Sequence, residues 1–469
     1  MSSLLFQPAH LLRQGLINRD YSAQELVQAF SQQINAINPT LNALVTLNLD
    51  AAHAQALLLD QHLAKHQQPI GLLHGLPLAV KDVFNTQGIR TTFGNHNFAQ
   101  HIPTADDIVV SRERHAGAII MGKSNTPDCA SGGITSNDIF GLTYNPWNQE
   151  KTTSGSGGGG ISALMGGMVS LANGSDIGGS VRSPACWSHC VGFRPTSGRI
   201  PGQPGQAADG DTSTAGIFAR CVTDAALYTQ AVQGPSNLSA VPYPSGPDIN
   251  WLDLQLPEVL PIAWQAEFAA MDVHPQVAKS FTEQTDVITG SGMQLSREAL
   301  DLNQDYRQLF EDFNAWRFFA CLPEVVAQNA LAGRSKASHN HYARWGQSTS
   351  AFAIQQMLLH REQLRVRLQD YFTRHSAIAT PVHAGLAFGV DDEVGLNATD
   401  WAPLYLAPLL GLPSIVVPCG FTDDGMPNGI MFTGPVGSDQ QLLQIARAFE
   451  QGRALPLGQP DLSWCTNDN

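Results

Sequence analysis

Near the N-terminus, Leu26, Phe30, Ile34 and Ile37 recur on one face behind Ser22 and Glu25, which have capping-box spacing. The pattern predicts a helix that Asn38-Pro39 stops. A second helix is predicted from about Asp50 to Lys65. The helical period then gives way to short apolar runs. His74–Asp82 (HGLPLAVKD) and Ala118–Met121 read as strands, the second entered from a helix end through a turn at Gly117. The Gly/Pro/Ser-rich stretches Pro201–Gly216 and Gly234–Asp248 read as loops. From Val273 to Tyr371 the pattern is amphipathic, with Leu358, Leu364 and Leu368 interleaved with Arg361, Arg365 and Arg367, and predicts a helical layer over the core. Strand-like runs return at Ala377–Pro381 and Pro413–Phe421. This alternation predicts an α/β fold, a single large domain whose central mixed β-sheet is fed from both halves of the chain and flanked by helices.

Composition supports a large core: of 469 residues, 43% are hydrophobic and only 14% charged. The net charge of −14 is spread without long runs and argues against direct nucleic-acid binding, because phosphate backbones would be repelled. No segment offers a membrane-spanning apolar run, and Met1–Pro8 has no basic leader region, so a cytoplasmic location without a membrane partner is expected. Seven scattered cysteines fit a reduced compartment. Cys186, His189 and Cys190 lack a second ligand pair and read as packing, so no metal is expected. His339 and His341, without a third ligand, are expected to face solvent. Trp316, Phe318, Phe319, Tyr342 and Trp345 read either as plain core or as an aromatic pocket.

The stretch Thr152–Gly167 (TTSGSGGGGISALMGG) is where chemistry enters. It is not a phosphate loop, since no Lys follows Gly160, and not a dinucleotide fingerprint, since the preceding NPWNQEKTT is polar and turn-rich. A second glycine-serine element, Gly174–Pro184 (GSDIGGSVRSP), has the composition that lets several backbone N–H groups converge beside a serine. A serine nucleophile needs a base within reach. His74 and His189 carry no supporting pattern. Lys81 follows Leu78-Ala79-Val80, an apolar setting that would favour a neutral amine, although a salt bridge to Asp82 or another carboxylate is an equal reading of Lys81 taken alone.

Lys81 in GLPLAVKD, Ser156 in SGSGGGG and Ser180 in GSDIGGSVRSP together resemble the three parts of the amidase signature family, in the family's order and spacing. Asn38–Val45, Gly122–Asp128, Phe140–Trp147, Gly192–Pro201 and Gly411–Phe421 extend the resemblance over most of the chain. It implies one amidase domain over residues 1–469, with an N-terminal helical layer (1–70), a signature core (71–235), a variable helical region (250–375) and a C-terminal return to the sheet (376–469). It also implies amide hydrolysis through an acyl-enzyme on Ser180. Lys81 would be the base and Ser156, in a cis peptide with Gly155, the proton relay. An oxyanion hole would come from the N–H groups of Ile177, Gly178, Gly179 and Ser180. Ala130, Ser131 and Gly132 would contact a small-molecule amide substrate, Asp176 and Arg182 would support the nucleophile, and no cofactor would be required. The family usually shows G-G-S-S-G-G, so Gly157 replaces its second serine, and His189 stands where a glycine is common. Asn125–Asp128 reads NTPD, like free-standing amidases, whereas the glutaminase component of tRNA-dependent amidotransferases usually has N-x-D-E there. A stand-alone amidase is the first reading. The alternatives are that glutaminase component, which works with partner chains, or a catalytically silent binding protein on the same fold. A homodimer is left open.

Overall fold

Thirteen strands form among the described residues, most of them from short apolar runs that alternate with amphipathic segments. The computed structural model describes residues 4–202, 212–266, 268, 271–302, 306–322, 324–392 and 401–466. Most of the loop expected at Pro201–Gly216 lies outside them.

The strands of the first half are β1 (Leu44–Leu47), β2 (Pro77–Lys81), β3 (Ile119–Ser124), β4 (Ser136–Asn137), β5 (Gly141–Leu142), β6 (Leu171–Asp176), β7 (Val191–Arg194) and β8 (Thr214–Ala219). Those of the second half are β9 (Leu260–Trp264), β10 (Met293–Ser296), β11 (Ala377–Pro381), β12 (Ser414–Phe421) and β13 (Pro427–Thr433). All but the β4–β5 pair join one mixed sheet of order β1-β3-β2-β6-β8-β7-β12-β13-β11-β9-β10. Strands β3, β2 and β6 run parallel, while β8, β7, β12 and β13 pair antiparallel. The chain is thus an α/β domain with one large central sheet flanked by helices. β2 reads as a continuous apolar run because both its faces are covered, and every one of its residues is buried.

Three expectations need correction. The capped helix runs Ala23–Leu41, through Pro39, and closes on left-handed Asn42, whose N–H donates to the Asn38 carbonyl at 2.8 Å. A proline in the last turn forfeits one hydrogen bond without blocking that closure. The region expected to be helical over 250–375 also contributes β9 and β10, which extend the sheet at one edge. Arg361 does not join a polar face. It is buried, donates from Nε to the Leu409 carbonyl at 2.6 Å and lies over the Phe313 ring at 4.7 Å.

The glycine stretch itself opens a helix, Gly158–Met165, every residue of which is buried. Glycine is a poor helix former, so tertiary contact sets this element. A Cβ on Gly159 would lie 2.2 Å from the Asn125 amide nitrogen, and one on Gly158 would lie 2.2 Å from Thr153 Oγ1. The helix can dock this closely only without side chains there. Among the described residues no helix is long and apolar enough to cross a membrane.

Candidate active site

Neighbouring parallel strands β2 and β6 end side by side, and the candidate groups sit at those C-terminal ends, where open α/β sheets place their ligands. Lys81 is the last residue of β2 and is wholly buried. Its Nζ donates to Ser156 Oγ at 2.7 Å, to Ser175 Oγ at 3.0 Å and to the Ser175 carbonyl at 3.4 Å. The reading of Lys81 as a partner of Asp82 is not met: Asp82 accepts from Thr92 Oγ1 at 2.5 Å instead. Burial lowers the Lys81 pKa to about 7, against an opposing pull from Asp176. A neutral amine held here would have two N–H donors for the two Ser175 oxygens and a lone pair left for the Ser156 hydroxyl. Sequence reasoning misses Ser175: it lies inside the quoted motif, but nothing in that motif marks it as a lysine partner.

Behind β2, Asn173 fixes this geometry. Its Oδ1 accepts from the Lys81 backbone N–H at 2.7 Å and its Nδ2 donates to Glu113 Oε1 at 2.8 Å. Burial raises Glu113 to about 7, partly offset by hydrogen bonds from Tyr228 and Asn173.

The Gly155–Ser156 peptide is cis. A Cβ on Gly155 would lie 2.2 Å from the Gly132 carbonyl oxygen, so the candidate substrate loop presses directly on the Gly155–Ser156 turn. Gly157 has a specific cause. A Cβ there would meet Phe218 Cζ at 2.5 Å and the Ser180 carbonyl oxygen at 2.6 Å. Phe218 of β8 fills the space that a second serine would need. Gly157→Ser is therefore expected to destabilise the protein by about 1–3 kcal/mol through overpacking, with part of the loss recovered by Phe218→Leu in the same chain. Urea unfolding checks this, and a fully stable single variant would contradict it.

Asp176 closes β6 and organises the turn that carries Ser180. Its carboxylate accepts from the N–H groups of Gly179 and Val181, both at 3.1 Å, and from Arg182 Nη2 at 2.8 Å and Nε at 3.0 Å. Arg194 pairs with it at 3.6 Å, and all three side chains are wholly buried. Burial pushes the Asp176 carboxyl up, but Arg182 and then Arg194 outweigh this and hold it well below the usual range. Of the four N–H groups expected to form an oxyanion hole, that of Gly179 donates to Asp176. Among the described residues nothing accepts from the N–H groups of Ile177, Gly178 or Ser180. The Ser180 hydroxyl makes no hydrogen bond to Ser156 in this structure.

A cavity of about 940 Å³ opens onto Ser180. Ala130, Ser131 and Gly132 line it, together with Gly155, Ile177 and Gly178. Facing them are Phe310, Tyr342, Trp401 and Tyr405, with Phe310 and Tyr405 stacked 4.1 Å apart. Of the five aromatics read as core or pocket, Tyr342 reaches this cavity. Trp316 packs edge-on against Phe313 and Trp345 donates to Asp312 at 3.1 Å, while the side chains of Phe318 and Phe319 lie outside the described residues. Lys336, also lining the cavity, donates to the carbonyls of Asp128 (3.1 Å) and Ser131. Contrary to the solvent-facing expectation, His339 is buried 3.8 Å from the Asp128 carboxylate; burial, and then Lys336, lower its pKa to about 4. His341 does face solvent.

His189 adopts φ +55°, which explains why glycine suits that position. Its ring stacks on Phe421 at 4.9 Å, so it packs and does not reach the site. Cys186 and Cys190 are buried. His10, Cys221 and Asp224 form the one metal-like group among the described residues. Asp224 there accepts from the N–H groups of Ala9 and His10 at 2.8 and 2.9 Å, as a helix cap would.

A family model described as Amidase matches residues 25–443. A glutamyl-tRNA(Gln) amidotransferase component from Alkaliphilus metalliredigens is 29% identical over 94% of this chain and 95% of its own. A Mycobacterium tuberculosis protein named as an amidase, AmiA2, is 31% identical over 96% of this chain and 94% of its own. Among solved structures, 6-aminohexanoate cyclic dimer hydrolase complexed with substrate aligns with a TM-score of 0.85 at 21% identity, covering 99% of this chain and 100% of that one.

Proposed function

Because the chain belongs to the amidase family and hydrolyses amides, we propose that it is a stand-alone amidase with Ser180 as nucleophile, Ser156 as relay and Lys81 as base. The observation that carries this reading is the buried Lys81–Ser156 contact of 2.7 Å beside the cavity that opens onto Ser180. Ser180 Oγ attacks the carbonyl carbon while its proton passes to Ser156 and the Ser156 proton to neutral Lys81. The N–H groups of Ile177, Gly178 and Ser180 hold the oxyanion. Collapse expels the amine, which takes a proton back along the same relay, and water then cleaves the Ser180 ester to release the carboxylate.

The cavity favours a neutral amide. Lys336 is the only lysine or arginine among its described lining residues, and its ammonium is engaged by two backbone carbonyls. A free amino acid such as glutamine would bring a carboxylate without a partner there.

With pKa near 7, about half of Lys81 is neutral at neutral pH. Because the amine is the active form, kcat/KM on a neutral anilide is expected to rise through about pH 7 and level off above it. Glu113 is held near the same value, so the limb is assigned to Lys81 only if it survives Glu113→Gln. The test is anilide and primary-amide turnover by the chain alone. Turnover of neither, with glutamine hydrolysis in their place, would overturn the stand-alone reading.

A further inference from the structure

The relay and nucleophile segments are joined one layer beneath the reacting hydroxyls by a hydrogen-bonded line. Ser154 lies two residues before Ser156 and takes the first glycine position of the usual G-G-S-S-G-G. Its φ of +64° shows why glycine would suit it. Its backbone is clamped: the N–H donates to Thr152 Oγ1 at 2.9 Å, and the carbonyl accepts from Thr135 Oγ1 at 2.8 Å and Thr153 Oγ1 at 3.1 Å. Its hydroxyl meets the hydroxyl of Ser183, three residues after Ser180. Ser183 is itself fixed by its N–H, which donates to the Gly179 carbonyl at 2.7 Å. Ser183 Oγ and His383 Nε2 are 2.8 Å apart. The His383 ring is buried, stacks on Trp187 at 4.2 Å, and stands edge-on to the cavity-lining Trp401 at 5.1 Å.

We propose that His383 is a positioning residue that, through Ser183 and Ser154, sets the separation between the Ser156 relay and the Ser180 nucleophile. The aromatic slot around His383 would accept any planar ring, but only a ring nitrogen orders the two hydroxyls. With Nε2 as acceptor, Ser183 donates to His383 and Ser154 donates to Ser183, so both protons point one way along the line. Ser180 and Ser156 share no hydrogen bond of their own, which leaves this strut as a direct side-chain tie between their segments. Gly157 has lost the hydroxyl of the family pattern, and Ser154 supplies one on the other side of Ser156.

The inference rests on the roles proposed for Ser156 and Ser180, and the experiment separates the two. His383→Phe keeps the ring packing and removes the nitrogen; His383→Gln restores a polar atom near the Nε2 position. In His383→Phe, kcat and the rate of Ser180 labelling by a fluorophosphonate are expected to fall about 30-fold, with KM within about twofold. His383→Gln should recover most of that loss. Ser183→Ala should lose as much as His383→Phe, and the double variant little more than either. If His383→Phe does not fold, Ser183→Ala against the wild type carries the test. Labelling by His383→Phe or Ser183→Ala at the wild-type rate would overturn the inference, as would equal losses in the Phe and Gln variants that follow melting temperature. Absence of any Ser180 adduct in the wild type would instead overturn the proposed function.

Discussion

Replacing Lys81 by Met is expected to abolish turnover and, at the same time, to make the protein more stable. The loss follows from the proposed base: without a group to receive the Ser156 proton, kcat/KM should fall at least about 10⁴-fold, as when one member of a cooperating catalytic set is removed. The gain follows from burial. An amine wholly removed from water has its pKa lowered from 10.5 to about 7, and each pH unit of displacement corresponds to about 1.4 kcal/mol. The sign is definite. Below pH 7 the amine is charged both folded and unfolded, so the penalty of holding that charge in the fold is fully present. It fades as pH rises from 7 towards 10.5, where the unfolded amine also loses its proton. Lys81→Met should therefore exceed the wild type in stability by several kcal/mol at pH 6, and by progressively less towards pH 10. Urea titrations at both pH values check this. A variant destabilised at pH 6 would contradict the account of Lys81 as a strained functional group.

Asp176 should behave in the opposite way. It is the shared anion of two wholly buried guanidiniums and the acceptor for backbone N–H groups of the Ser180 turn. Removing one partner of a buried ion pair leaves an uncompensated charge at about 3–5 kcal/mol, and here two arginines lose it together. Asp176→Ala is expected to lower stability by at least that much, and Asp176→Asn by less, since an amide oxygen can still accept one N–H. Both should lower kcat, because the turn carrying Ser180 loses its anchor. The folded carboxyl lies below its ordinary 3.8, so its contribution is present above that pH and is lost as pH falls further. The difference between wild type and Asp176→Ala should accordingly narrow in strong acid. A variant within about 1 kcal/mol of wild type at pH 7 would show that the arginines find other partners.

What the sequence discloses and what it withholds have physical causes. Lys81, Ser156 and Ser180 are legible because short contiguous motifs surround each, and the α/β class follows from buried apolar strands such as β2, β3 and β12. Strands β9 and β10 are not legible: five and four residues long in a helix-rich region, they are shown as strands only by pairing with β11 and with each other. Arg361 reads as part of a polar face because its charge is visible in the sequence, whereas the Leu409 carbonyl and Phe313 ring that receive it are not. The line from Ser154 to His383 joins residues up to 200 positions apart across a single hydrogen bond, and no periodicity encodes such a contact. Gly157 reads as a lost serine, yet the decisive neighbour is Phe218 on another strand.

Activation of Ser180 by Lys81 and Ser156 is read out by intact mass after incubation with a fluorophosphonate at pH 8. A single adduct is expected on the wild type and none on Ser180→Ala, with labelling of Lys81→Met slowed by orders of magnitude. A folded wild type that stays unmodified, or an equal adduct on Ser180→Ala, would contradict it.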